Sequence, residues 1–136
     1  MKNRKNSKNN VKKEIKSDYF MIKEIKEPSS LVNIFRDHKD VYKSFNKIMM
    51  NYEEGFDDIA LLLVCDIQPV ILQQLALFCS YFSIQLYLLP STISTTLESI
   101  FNEKIRIIGV KKDSEALKKM SSILKDLIFV EKDIYL

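Results

Sequence analysis

The side chains able to do chemistry are few in this 136-residue chain, and they are scattered. His38 is the single histidine. It lies in the polar run Arg36-Asp37-His38-Lys39, where a solvated position at a helix end is expected. Cys65 and Cys79 are the only cysteines. A Cys–His nucleophile pair is formally open to either, but both sit among apolar residues, which raise a thiol's pKa rather than lower it. Two separated cysteines and one histidine do not complete a zinc site. Glu53-Glu54 and Asp57-Asp58 flank Gly55 as paired carboxylates. Between a helix and a strand they read as a solvated acidic loop, not as a divalent-metal or acid–base centre. Gly55 and Gly109 stand alone, so the sequence has no Gly-rich phosphate loop. The expectation is a non-enzyme, with no metal or cofactor and no small-molecule substrate.

The basic residues are more informative. Residues 1–16 hold Lys2, Arg4, Lys5, Lys8, Lys12, Lys13 and Lys16 against Glu14 alone, a charge of +6, whereas the rest of the chain is −3. A polybasic segment can meet phosphates or acidic surfaces, can be a plain solvated extension, or can serve nuclear import. Residues 1–17 contain only Val11 and Ile15 as apolar groups, too few to offset the entropy of ordering, so a disordered tail is expected. Lys111-Lys112 and Lys118-Lys119 are either solubilising charge or further phosphate contacts.

Positioning such groups needs a folded scaffold, and 46% hydrophobic residues suffice for one core over residues 18–136. Two glycines and three prolines are too few for an all-β domain of many tight hairpins. The N-terminus is polar, without the apolar run of a signal peptide. The longest apolar stretch, Ile59–Cys65, is far short of the ~20 residues that span a bilayer, so no membrane partner is expected. The cysteines read as buried thiols in a reducing compartment.

The apolar spacing predicts the elements. Residues 19–25 are either a short strand or a helical turn. Pro28-Ser29-Ser30 opens a short helix through Leu31, Ile34 and Phe35. Asp40 is the expected cap of a helix over 41–53, with Val41, Phe45, Ile48, Met49 and Tyr52 on one face and Gly55 as its stop. Ile59–Cys65 is apolar throughout, as in a strand covered on both faces. Asp66–Gln68 form a loop with a potential Asp cap, and Pro69 starts a helix that buries Leu72, Leu75, Ala76, Cys79 and Phe82. Ile84–Leu89 completes a β–α–β crossover. A helix from Pro90, a strand over Ile105–Val110, a helix capped by Asp113 and a short strand over Leu127–Val130 follow. The expected class is α/β, a three-layer α/β/α sandwich around a small, mostly parallel or mixed sheet.

Five segments, FNKI, LLLVCDIQP, VILQQLALFC, IQLYLLPS and IRIIGVKK, resemble the ribosomal-protein-like family that binds kink-turns in RNA. They look closest to its branch of small Pop-type subunits of nuclear ribonuclease P and ribonuclease MRP, with a thirty-eight-kilodalton animal counterpart. The resemblance covers about half the chain. It implies a non-catalytic subunit that grips structured RNA among other ribonucleoprotein subunits, in the nucleus and nucleolus. Such particles act in 5′ processing of precursor tRNA and in rRNA processing, and their catalysis belongs to the RNA. The family reads RNA at the start of one helix through a Gly-x-Asn-Glu pattern. Here that stretch is Ser44-Phe45-Asn46-Lys47, with Met49 and Met50 in place of the family's next Thr and basic residue. Asn46 keeps both a donor and an acceptor for a base edge. Lys47 replaces an acceptor with a donor, suited to a phosphate or a guanine acceptor. The RNA-facing set implied is Lys43, Ser44, Asn46 and Lys47, then Asp66, Ile67 and Gln68, then Glu103, Lys104 and Ile105, with Lys111 and Lys112. Two readings compete with this one: a protein-interaction subunit whose RNA face has decayed, and a ribosomal or small nucleolar kink-turn binder.

Overall fold

The computed structural model describes residues 19–135; the basic segment expected to be disordered lies outside them. Residues 19–25 are a strand, β1 (Tyr19–Ile25). A short helix α1 (Ser29–Val32) runs into a 3-10 turn (Asn33–Arg36). Then come α2 (Phe45–Glu53), β2 (Ile59–Val64), α3 (Pro69–Phe82) and β3 (Gln85–Leu88). A 3-10 turn (Ser91–Ile93), α4 (Ser94–Phe101), β4 (Ile107–Lys111), α5 (Glu115–Leu124) and β5 (Phe129–Tyr135) complete the chain.

The sheet is mixed, in the order β4-β2-β3-β1-β5. β3 is parallel to both β2 and β1, whereas β4 and β5 are antiparallel edges on β2 and β1. β4 runs backwards because the segment from β3 to β4 starts and ends at one edge of the sheet. Leu89 N–H donates to Val64 O at 2.8 Å, and Cys65 N–H donates to Arg106 O at 2.9 Å. A strand that begins beside the end of β2 can only run back along it.

Successive residues of a strand point to opposite faces, which explains why β2 has no polar alternation. Leu61, Leu63 and Cys65 pack with Leu31, Phe35, Leu97, Ile100 and Met120. Leu62 and Val64 pack with Ile48, Tyr52, Leu75 and Cys79. A register shift against β4 between Ile59 and Leu61 accompanies the placement of Ile59 in that second cluster. Side chains of α1, α4 and α5 thus cover one face, and those of α2 and α3 the other. Leu62 is fully buried, so Leu62→Ala removes about 2–5 kcal/mol of stability.

Two glycines mark tight places. Gly55 follows α2 with φ +94°, a conformation that L side chains rarely adopt. Gly109, in mid-β4, lets α2 approach closely: a Cβ there would stand 3.3 Å from Ile48 Cδ1, Ile59 Cδ1 and Leu62 Cδ2.

Two expected caps are corrected. Asp40 does not start α2, because Tyr42 is drawn into extended pairing with Gly109. Tyr42 N–H donates to Gly109 O at 3.0 Å, and Gly109 N–H returns a 2.7 Å bond to Tyr42 O. Asp113 takes a positive φ of 62° and turns the chain, and Ser114 behind it caps α5 by accepting from Leu117 N–H at 3.1 Å.

Candidate nucleic-acid interface

With Tyr42 held in extended pairing, the first free hydroxyl becomes the cap of α2. Ser44 is extended (φ −136°, ψ 130°) and its Oγ accepts from Lys47 N–H at 3.3 Å. Ser44 therefore serves the helix end, while Asn46 and Lys47, one turn in, are exposed.

Two loops meet this helix end. At the end of β2, Asp66 turns the chain with φ 54° and Ile67 and Gln68 follow. Gln68 precedes Pro69 as the cap residue without a side-chain bond, so the Asp66 cap expected from sequence does not form. Pro69 stands where its missing N–H costs nothing. On the other side Asn102, at φ 60°, ends α4 in the left-handed cap conformation. The next residues return to α2: Lys43 Nζ lies 2.9 Å from Glu103 Oε2 and 5.4 Å from the centre of the Phe101 ring. Phe45, Ile67, Gln68, Ile71, Arg106 and Ile107 then line a mostly apolar, half-open cavity of about 260 Å³.

The expected residues thus divide. Lys43, Ser44, Asn46, Lys47, Asp66, Ile67, Gln68, Glu103 and Lys104 gather around one rim. Ile105 does not join it: only 3% exposed, it is sealed among the side chains of the α1/α4/α5 cluster. Lys111 and Lys112 are also elsewhere. They end β4, about 13 Å from its start at Ile107 at some 3.3 Å per residue, beside the opposite end of β2.

That opposite end is internally paired. Lys111 Nζ lies 2.9 Å from Asp40 Oδ1 and 5.2 Å from the centre of the Tyr42 ring, and Lys112 Nζ lies 3.5 Å from Asp57 Oδ1. Tyr42 OH donates to Asp58 Oδ2 at 2.6 Å. Tyr52 OH donates to Asp57 Oδ1 and accepts from Ile59 N–H, both at 3.0 Å. The Asp57-Asp58 pair, expected to be a solvated loop, is instead a socket for two tyrosines. Burial, then the bond to Asp58 and its charge, push the Tyr42 hydroxyl up to about 12. Burial and Asp57 also raise Tyr52, against the bond from Ile59 N–H.

Both thiols are buried. Burial, with the neighbouring Asp66 and against Arg106, pushes Cys65 up to about 11, and burial pushes Cys79 up to about 12. His38 is half-buried rather than solvated, and its Nε2 is shielded without a hydrogen-bond partner among the described residues. No group of three or more His, Cys, Asp and Glu among the described residues could hold a metal ion. No helix among them is long and apolar enough to cross a membrane.

Sequence reasoning missed Arg106. It is exposed, walls the cavity, and makes no side-chain hydrogen bond or ion pair among the described residues. The signal was a lone basic residue ahead of the apolar run IIGV, taken as part of the strand. The strand starts at Ile107, two residues later than expected, which leaves Arg106 ahead of it on the rim.

No family model and no curated protein matches the sequence. Among solved structures, the chain is similar to a protein with unknown function from Bacillus halodurans C. The two share 16% identity and a TM-score of 0.54, over 71% of this chain and 95% of that one. That likeness is one of fold.

Proposed function

We propose that the chain is a non-catalytic RNA-binding subunit of the ribonuclease P and ribonuclease MRP particles, acting with other protein subunits in precursor tRNA and rRNA processing. Its place would then be the nucleus and nucleolus. The observation that supports RNA binding is the cavity between the α2 start, the 66–68 loop and Arg106. An apolar slot beside a guanidinium suits an unstacked base, the feature by which structured RNA is commonly read. Arg106 in its wall, and Asn46, Lys47 and Lys104 on the neighbouring helix start and loop, spend no side-chain hydrogen bond or ion pair on other described residues. Asn46 offers a base edge both donor and acceptor, and the cations offer phosphate contacts. The assignment to these particles rests on the sequence resemblance.

The domain is slightly acidic outside residues 1–16, so affinity leans on that basic segment and falls steeply with salt. Deleting residues 1–16 lowers RNA affinity and flattens the salt slope in a titration; an unchanged slope removes the segment from the mechanism. The test of the whole reading is to purify the chain from its cells and sequence the RNA bound to it. Ribonuclease P or MRP RNA supports the assignment. A ribosomal or small nucleolar RNA moves the protein to another branch, and recovery of no RNA sinks the proposal.

A further inference from the structure

We infer that the groove between the last turn of α5 and the β1, β3 and β5 strands is a second RNA contact, which takes a backbone phosphate between Lys23 and Lys125. Lys23 of β1, Gln85 of β3 and Lys125 just behind α5 line it beside the Phe129 ring, in a cavity of about 320 Å³. None of the residues that line it is acidic. Two other cavities are balanced differently: one sets Asp37, Asp40 and Glu115 against Lys39, and one sets Glu27 against Lys26. Outside residues 1–16 the chain is acidic overall. Two cations that share a groove without a carboxylate in its walls therefore mark a local positive field, where an anion is favoured.

The side chains keep these donors free. Glu131 of β5 stands directly opposite Lys23 in the sheet, yet the two form no ion pair among the described residues. Lys23 Nζ leans along the strand instead, 5.4 Å from the centre of the Phe129 ring. Tyr87, beside Lys23 on β3, stacks on the same ring at 5.5 Å and 28°. Its hydroxyl donates to Gln85 Oε1 at 3.3 Å, which engages the amide oxygen and leaves the amide NH2 to donate. Lys125 has no ion pair or side-chain hydrogen bond among the described residues. Two ammonium groups and an amide NH2 suit a ligand rich in acceptors, and lysine is a common phosphate partner. That the phosphate belongs to RNA rests on the function proposed above. The Arg106 rim lies by the end of β2, and Gln85 begins β3, the parallel neighbour of β2. One RNA held at both places is fixed in orientation, which is what phosphate contacts contribute.

Two measurements on the full chain test this: anisotropy titration of folded ribonuclease P RNA across a range of salt, and NMR of the side-chain amides with pyrophosphate as the probe. Lys23→Gln/Lys125→Gln keeps the aliphatic stem on Phe129. It should lower the log–log salt slope by about 1–2 and the affinity at least about tenfold. Lys118→Gln/Lys119→Gln removes the same charge from exposed positions of α5 and should cost less than about threefold. Pyrophosphate should shift the Gln85 amide in wild type and not in the Lys23/Lys125 variant. RNA binding that both double variants weaken equally overturns the groove and leaves the Arg106 rim standing. Pyrophosphate that leaves Gln85 unmoved overturns the phosphate site. If wild type binds no RNA while pyrophosphate moves Gln85, the proposed function falls and the groove is a site for a small phosphate, which overturns the RNA contact.

Discussion

The two ends of β4 are built from similar residues and handle them in opposite ways. At the Lys111 end Lys111 pairs with Asp40, Lys112 with Asp57, and the Asp57-Asp58 carboxylates with the hydroxyls of Tyr52 and Tyr42. At the Arg106 end only Lys43 and Glu103 form an ion pair among the described residues. Asn46, Lys47, Lys104 and Arg106 are exposed, and Arg106 walls an apolar hollow. Basic residues count as candidates for phosphate only where the fold leaves them unspent. Lys111-Lys112 is the denser basic motif in the sequence, yet Arg106 is the better placed cation.

Breaking each end in turn sharpens the contrast. The largest effect is expected from the Lys47→Glu/Arg106→Glu pair, which should weaken binding of structured RNA by about 100-fold or more in an anisotropy titration. Stability in urea should move by no more than about 0.5 kcal/mol, because both side chains are exposed and have no ion pair among the described residues. Next is Tyr52→Phe at the paired end. It strips Ile59 N–H of its partner and leaves Asp57 with Lys112 alone, and should cost about 1–3 kcal/mol in urea unfolding, with RNA affinity unchanged.

A third effect is alkaline. The Tyr42 hydroxyl is held up near 12, above its ordinary 10.0. A group whose pKa is raised by folding stabilises below its unfolded value and loses that contribution as pH rises through the folded one. Thermal stability should therefore fall between about pH 10 and about pH 12, and Tyr42→Phe should blunt that fall. The smallest effect is expected from Lys111→Ala/Lys112→Ala. Exposed ion pairs contribute about 0–1 kcal/mol each, and RNA affinity should drop less than about threefold, through net charge alone.

Much of the fold was legible because its signals are local. The apolar run of β2, the Pro69 start of α3 and the Gly55 stop each announce an element without tertiary help. The caps were less legible: Asp40 and Asp113 are as good by type as Ser44 and Ser114. The choice fell to a distant pairing of Tyr42 with Gly109 and to the left-handed turn at Asp113. The candidate rim followed the same divide. The loops fall where the sequence put them, whereas α2 starts at Phe45, four residues later than expected, and the burial of Ile105, the pairing of Lys111 and Lys112, and the exposure of Arg106 depend on contacts across the sheet. Charge in a sequence says what a residue can do, and only the fold says whether its charge is already engaged.

The most direct test sets the two ends against each other on one RNA. Purified chain would be titrated against ribonuclease P RNA in its folded form, comparing wild type, Asn46→Ala/Arg106→Ala and Lys111→Ala/Lys112→Ala. The expected result is a loss of at least about tenfold for the first pair and little change for the second. Equal losses, or no binding by wild type, would contradict the assignment of the Arg106 end as the RNA-facing rim.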